Sequence, residues 1–223
     1  MKHVKPAILS LFASLLFLAP LSCAPSRDAA QVGDGSANTA RSEKSPPASL
    51  AQDLSAPVSN LSTKLGELGF YVFETPQQVP RFSEIPALDT ASTKDEALSA
   101  DSFAGNITIL NFWATWCPPC KQEMPSIEKL HQSLEGYNFR IAAVSVGEKT
   151  ATVADFIKRS NYTFPIFLDE KGVLGGIMAT QGIPTTYILD KNGMIIGGTV
   201  GAREYDSPAF ISLMKESAGM QNQ

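Results

Sequence analysis

From Ile107 onward the apolar positions fall into two alternating periods. Ile107 to Trp113 ("ITILNFW") is nearly unbroken apolar, the pattern of a strand buried on both faces. Pro119 to Leu134 then places Met124, Ile127, Leu130 and Leu134 at helical spacing. Phe139 to Val146 predicts a second strand, Val153 to Ser160 an amphipathic helix with Ala154, Phe156 and Ile157 as its apolar contacts, Phe164 to Leu168 a short strand, and Val173 to Met178 a short helix. Thr185 to Leu189, the turn Lys191-Asn192-Gly193, and Met194 to Val200 predict an antiparallel hairpin, because Asn-Gly supplies the positive φ that tight hairpins need. Ser207 to Ser217 predicts a closing helix carrying Phe210, Ile211 and Leu213.

Upstream the pattern weakens. Leu61 to Pro80 has some helical spacing and then a β-leaning "FYVF", and no element is assigned to this lead-in. From Phe82 to Ala104, Pro86 and the "DTASTKD" turn predict a short hairpin. Ala24 to about Asn60 is rich in Ala, Ser, Pro, Gly, Asp and Gln; it holds too little apolar surface to repay ordering and reads as a disordered tether.

The front end reads as a targeting segment. Lys2, His3 and Lys5 precede an apolar run, Ala7 to Ala19, followed by Pro20-Leu21-Ser22-Cys23. The run is shorter than the roughly 20 residues a membrane-spanning helix needs, so export is favoured over an anchor helix. Cys23 after that run resembles the lipobox of bacterial lipoproteins, in which the cysteine is lipidated. Ser22 fits the pattern, whereas Pro20 and Leu21 depart from it; ordinary cleavage near Cys23 is the competing reading. Ala24 is not the aspartate that commonly signals inner-membrane retention in diderm cells. The expected organisation is a signal peptide over 1–22, lipidated Cys23 and tether over 23–60, a lead-in over 61–81, and one folded domain over 82–220.

Composition narrows the function. The chain has 223 residues, 43% of them hydrophobic, enough for one medium core after the front end is set aside. Its net charge is −4 with no run of Lys or Arg, so no nucleic-acid partner is expected. The β-α-β order followed by a hairpin and helix implies an α/β fold, a mixed sheet with helices on both faces. A Cys-x-x-Cys where the first strong strand gives way to a helix points to thioredoxin-like architecture.

Cys117 and Cys120, in "NFWATWCPPCKQEMP", carry the candidate chemistry. A structural disulfide is the usual fate of exported cysteines, but a bridge over two residues constrains little of the unfolded chain. Zinc needs about four ligands; with Cys23 committed elsewhere, two cysteines and His131 remain, so no metal and no cofactor is expected. Redox chemistry suits the pair. A helix N-terminus favours the Cys117 thiolate, which attacks a substrate disulfide, and Cys120, one turn inward, then resolves the mixed disulfide. Pro118 and Pro119 lack N–H groups that could stabilise that thiolate, and Pro119 disfavours helical ψ at Pro118, so regular helix is expected from Pro119 or Cys120. Fewer donors implies a reducing couple, near roughly −270 mV rather than roughly −120 mV.

"NFWATWCPPCKQEMP", "IAAVSVGE" and "FPIFLDEKGVLGGIMATQGIPTTYILDKNGMII" together resemble the TlpA/ResA-like thiol-disulfide oxidoreductases, exported members of the thioredoxin superfamily, over roughly Phe82 to Ala218. The resemblance includes the family's extra helix-strand insertion, here about Thr150 to Leu168. It implies that Glu123 lies near the cysteines and tunes their protonation, whereas helix position alone allows a solvated first-turn carboxylate. Asn111 stands where thioredoxin has a buried aspartate and cannot accept a proton at neutral pH. The resemblance further implies that Pro184 is the cis-proline beside the disulfide, that Ile183 before it pairs with substrate, and that Trp116 belongs to the docking surface, with Trp113 and Phe112 in the core.

The implied function is a membrane-anchored, extracytoplasmic protein disulfide reductase acting on exported proteins, apocytochrome c among them, with electrons from a membrane dithiol transporter. Two other functions fit the fold. Thiol peroxidases resemble one another in carrying Thr or Ser three residues before the reactive cysteine, where this chain has Ala114. Copper-delivery modules carry Cys-x-x-x-Cys and a distant histidine, whereas this chain has the narrower spacing and no histidine after His131.

Overall fold

In the computed structural model, residues 56–88 and 97–221 are described, all within one unit, Pro46–Gln223. The signal segment, Cys23, residues 24–55 of the expected tether and the "DTASTKD" turn lie outside the described residues.

The elements in chain order are α1 (Ala56–Glu67), β1 (Tyr71–Gln78), β2 (Ile85–Pro86), β3 (Ala97–Leu98), a 3₁₀ turn (Ala100–Phe103), β4 (Ile107–Trp113), α2 (Pro118–Ser133), β5 (Phe139–Val146), α3 (Thr150–Ser160), β6 (Ile166–Asp169), α4 (Val173–Met178), β7 (Thr185–Leu189), β8 (Met194–Val200) and α5 (Pro208–Ala218). Six strands form one mixed sheet in the order β1-β8-β7-β4-β5-β6, and β2 and β3 pair as a separate short antiparallel hairpin. β4, β5 and β6 run parallel, whereas β7, β8 and β1 alternate antiparallel to their neighbours.

β4 lies at the centre, buried at every residue. Its alternation sends Ile107, Ile109 and Trp113 into one core with α1, α2, α3 and α5, and Leu110 and Phe112 into a second core with α4 and the β2–β3 hairpin. The family-type insertion is α3 and β6, which adds the strand beyond β5.

Two boundaries and the buried face of α3 depart from the sequence reading for identifiable reasons. Regular helix begins at Pro118, not Pro119 or Cys120, because both prolines fill the first-turn positions where a missing N–H costs nothing and φ is already helical. The strand expected from Phe164 begins at Ile166: Pro165 offers only its carbonyl, taken by Ala143 N–H at 3.2 Å, while Phe164 is core. In α3 the fully buried contacts are Val153 and Ile157, and Ala154 and Phe156 pack only partly.

The larger difference is at the front. Residues 56–60, read as tether, start α1, and the unassigned lead-in supplies the rest of α1 and β1. β1 pairs with β8 through Tyr71–Gly198 and Val72–Gly197, slips, and resumes at Gln77–Ile195. Glycines let β8 lie close to both neighbours: a Cβ on Gly197 would sit 2.6 Å from the Tyr71 carbonyl oxygen of β1, and one on Gly198 2.4 Å from that of Thr186 on β7. α1 buries Leu61 and Leu65 beside Phe70, whose ring stacks on Phe210 with centroids 5.2 Å apart.

Candidate active site

The site forms where β4 ends and α2 begins. Cys117 is the N-cap of α2 and is joined to Cys120 by a disulfide, with the two Cα atoms 5.3 Å apart. With prolines in the first two helical positions, the first-turn donor that reaches Cys117 Sγ is the Cys120 N–H, at 3.2 Å. Both cysteines are covered: Cys117 is 3% exposed and Cys120 0%. The exposed neighbour is Trp116, at 64%, while Trp113 and Phe112 are wholly buried.

The opposite wall is the loop entering β7. The Ile183–Pro184 bond is cis, and the Ile183 carbonyl oxygen lies 3.7 Å from Cys117 Sγ. Gly201 N–H, just past β8, donates to the Pro184 carbonyl at 2.8 Å and holds this loop to the next strand.

Glu123 is not a solvated first-turn carboxylate. It is 2% exposed on the inner face of α2. Oε1 accepts from Asn111 Nδ2 at 2.8 Å, and Oε2 accepts from the Arg203 N–H at 3.1 Å. Burial dominates these two donors and pushes its pKa from 4.5 up to about 7. The network continues inward: Asn111 Nδ2 also donates to Thr186 Oγ1 at 2.9 Å, and Thr186 Oγ1 accepts from the Tyr205 hydroxyl at 2.8 Å. Tyr205 is fully buried; burial first, then the nearby Glu123 charge, raises its phenol above the ordinary range.

Sequence reasoning missed a second buried carboxylate. Glu148, just beyond β5, accepts from Thr115 N–H at 2.8 Å, from Thr115 Oγ1 at 2.5 Å and from Ser145 Oγ at 2.9 Å. It clamps the loop that carries Trp116 and Cys117. Asn111, Thr186, Tyr205, Arg203 and Glu148 come from β4, β7, β5's end and the segment before α5, so no local spacing announces them.

His131 lies in the last turn of α2, at the other end of the helix from the cysteines. Among the described residues no three His, Cys, Asp or Glu side chains gather as a metal site.

Residues 77–197, over half the chain, match the model of the AhpC/TSA family. The chain is 34% identical over 131 residues to the thiol-disulfide oxidoreductase ResA of Geobacillus thermodenitrificans, covering 53% of this chain and 75% of that protein. This chain belongs to the AhpC/TSA family, as a ResA-like member of the thioredoxin superfamily. It is also 40% identical over 124 residues to the thioredoxin-like protein YneN of Bacillus subtilis, covering 53% and 67% of the two chains. Its fold resembles a crystal structure of a thiol:disulfide interchange protein from Chlorobium tepidum, with a TM-score of 0.53, 25% identity, and coverage of 66% of this chain and 99% of that one. The activity of this ResA-like chain is thiol-disulfide exchange, and its substrates are thiols or disulfides.

Proposed function

We propose that the chain is an extracytoplasmic, membrane-tethered reductase of disulfides in exported proteins, with Cys117 and Cys120 as its reacting pair. The observation that carries this reading is the Cys117–Cys120 disulfide on the first turn of α2, against a cis-proline loop and above a buried carboxylate.

In the reduced protein, the Cys117 thiolate attacks one sulfur of a substrate disulfide; the S–S bond breaks and the departing substrate thiolate takes a proton. Cys120 then attacks Cys117 Sγ. The mixed disulfide breaks, Cys117–Cys120 forms, and the second substrate thiol leaves. Two electrons have moved from protein to substrate. The Cys120 proton must go somewhere during that step, and Glu123, one turn along the same helix, is the acceptor in this reading. A carboxyl titrating at about 7 is part ionised at neutral pH, as such a base needs to be. Trp116, Ile183 and Pro184 form the surface that receives the substrate segment.

The missing proline donors support a reducing couple near roughly −270 mV. The resemblance to exported TlpA/ResA-like proteins supports a membrane dithiol donor and, as a substrate, the haem-binding cysteines of apocytochrome c. The apolar run over 7–19 and Cys23 support the lipid anchor; no helix among the described residues is long and apolar enough to cross a membrane. Loss of radiolabelled palmitate incorporation in a Cys23→Ala chain tests that anchor.

The deciding experiment pairs two variants. Cys117→Ala is expected to lose disulfide-reducing activity, while Cys120→Ser accumulates mixed disulfides whose partners mass spectrometry identifies. Full activity in Cys117→Ala would rule the mechanism out, and peroxide consumption by the reduced protein at an enzymatic rate would favour a peroxidase.

A further inference from the structure

Arg203 stands at a junction that the redox steps do not use. Its backbone N–H donates to Glu123 Oε2, while its side chain reaches the corner between α1 and β1. There the guanidinium lies 4.0 Å over the Phe70 ring. Nη1 donates to the Gly69 carbonyl at 3.0 Å, and Nη2 donates to the Leu68 carbonyl.

The end of α1 provides those acceptors. The helix closes in a Schellman turn: Phe70 N–H donates to the Leu65 carbonyl at 3.0 Å and Gly69 N–H to the Gly66 carbonyl at 2.9 Å, with Gly69 at φ +78°. The turn occupies the Leu65 and Gly66 carbonyls and leaves those of Leu68 and Gly69 for Arg203. A cation at this end of a helix is favoured by the helix dipole. Phe70 is itself fixed in the core against Phe210, so the guanidinium rests on a rigid platform.

We infer that Arg203 is a positioning residue: its side chain fastens the backbone donor of Glu123 to the α1–β1 corner, so that the N-terminal segment governs how firmly the site carboxyl holds its proton. The corner at Leu68–Phe70 and Arg203 both lie outside residues 77–197, the part that matches the family model. The inference rests on Glu123 being the proton acceptor.

Other groups around Glu123 are accounted for. On α2 they are the Cys117–Cys120 pair and Ser126, whose hydroxyl donates to the Glu123 carbonyl at 2.7 Å and accepts from Tyr205 N–H at 3.1 Å. On β4 there is Asn111, and behind it Thr186 on β7. Tyr205 stays a neutral phenol through neutral pH. Lys129 and Asp206 pair with each other at 2.8 Å on the surface. Arg203 is therefore the link between Glu123 and the front of the domain.

The test is the midpoint potential of the Cys117–Cys120 couple followed against pH across neutrality, in the full chain. Arg203→Ala loosens the N–H that stabilises the carboxylate, so the Glu123-dependent break in the profile should move up by about half a pH unit or more. Arg203→Lys, which keeps a cation for one carbonyl, should recover part of the shift. Combined with Glu123→Gln, Arg203→Ala should add nothing.

If Glu123→Gln alone leaves the break in place, the proton-acceptor reading fails and this inference with it. If Glu123→Gln removes the break, three results overturn the positioning role alone. These are a folded Arg203→Ala protein with an unmoved break, one with a lowered break, or a profile that Arg203→Ala still alters in the Glu123→Gln background. Should Arg203→Ala fail to fold, Phe70→Leu removes the ring beneath the guanidinium while keeping an apolar side chain in the core beside Phe210 and Tyr205. It should give a smaller upward shift, and its absence would equally overturn the role.

Discussion

A single carboxylic acid carries most of the site's electrostatic character. Glu123 has an ordinary pKa of 4.5 when unfolded and about 7 when folded, so the folded state binds the extra proton between those values. Its contribution favours folding below about 4.5 and is lost as pH rises through about 7. The span of about 2.5 units corresponds to roughly 3 kcal/mol at most. Denaturant melts of the oxidised protein should therefore weaken across that window, and Glu123→Gln should flatten the decline. A melt series with no slope in wild type would contradict the burial argument. Glu148 plays a different part, holding three donors around the loop before Cys117. Removing its oxygens in Glu148→Ala leaves the Thr115 N–H and hydroxyl without their acceptor. It should cost about 2 kcal/mol of stability and slow substrate reduction several-fold, read by melts and by single-turnover rates. Neither burial was written in local sequence. The family likeness brought Glu123 to notice beside the cysteines, but its donors lie 12 residues before it, at Asn111, and 80 after it, at Arg203.

At the scale of elements, strong local patterns were read well. The boundaries of α4, β7 and β8 coincide with those expected from apolar spacing and the Asn-Gly turn, where Asp190 adds side-chain acceptors for Asn192 and Met194 N–H. α1 and β1 escaped because their evidence is non-local. α1 shows its core only through residues such as Leu61 and Leu65, four apart in a polar run, and β1 has no two-residue alternation because it is an outer strand with an irregular register. Its partner glycines lie more than a hundred residues downstream. The start of α2 offers an element-level test. In Pro118→Ala/Pro119→Ala, two N–H donors return to the turn beneath Cys117 Sγ while the helix keeps its position. The stabilised thiolate should raise the midpoint potential, by roughly 30 mV for each 1.4 kcal/mol gained. An unchanged potential in a glutathione redox buffer would show that the prolines do not set the couple's direction.

For the whole molecule, the front segment belongs to the folded body. A chain beginning at Ser55 should melt like the full protein, whereas one beginning at Phe82 loses Leu61, Leu65 and Phe70 from the core and leaves the outer edge of β8 open, with β7 as its remaining partner. At roughly 2 kcal/mol for each buried side chain, that loss is comparable with the whole stability of a domain. Thermal melts of the two truncations separate these expectations, and equal melting would show that the front segment is dispensable. The outer position of β1 also has a mechanical meaning. Tension applied at the N-terminus enters through α1 and then loads β1 along the edge of the sheet, where antiparallel bonds to β8 can open one pair at a time. The Leu68 and Gly69 carbonyls that Arg203 grips stand at the entrance to that zipper. A pull on the front of the chain thus reaches the residue behind Glu123 while the central strands are still intact.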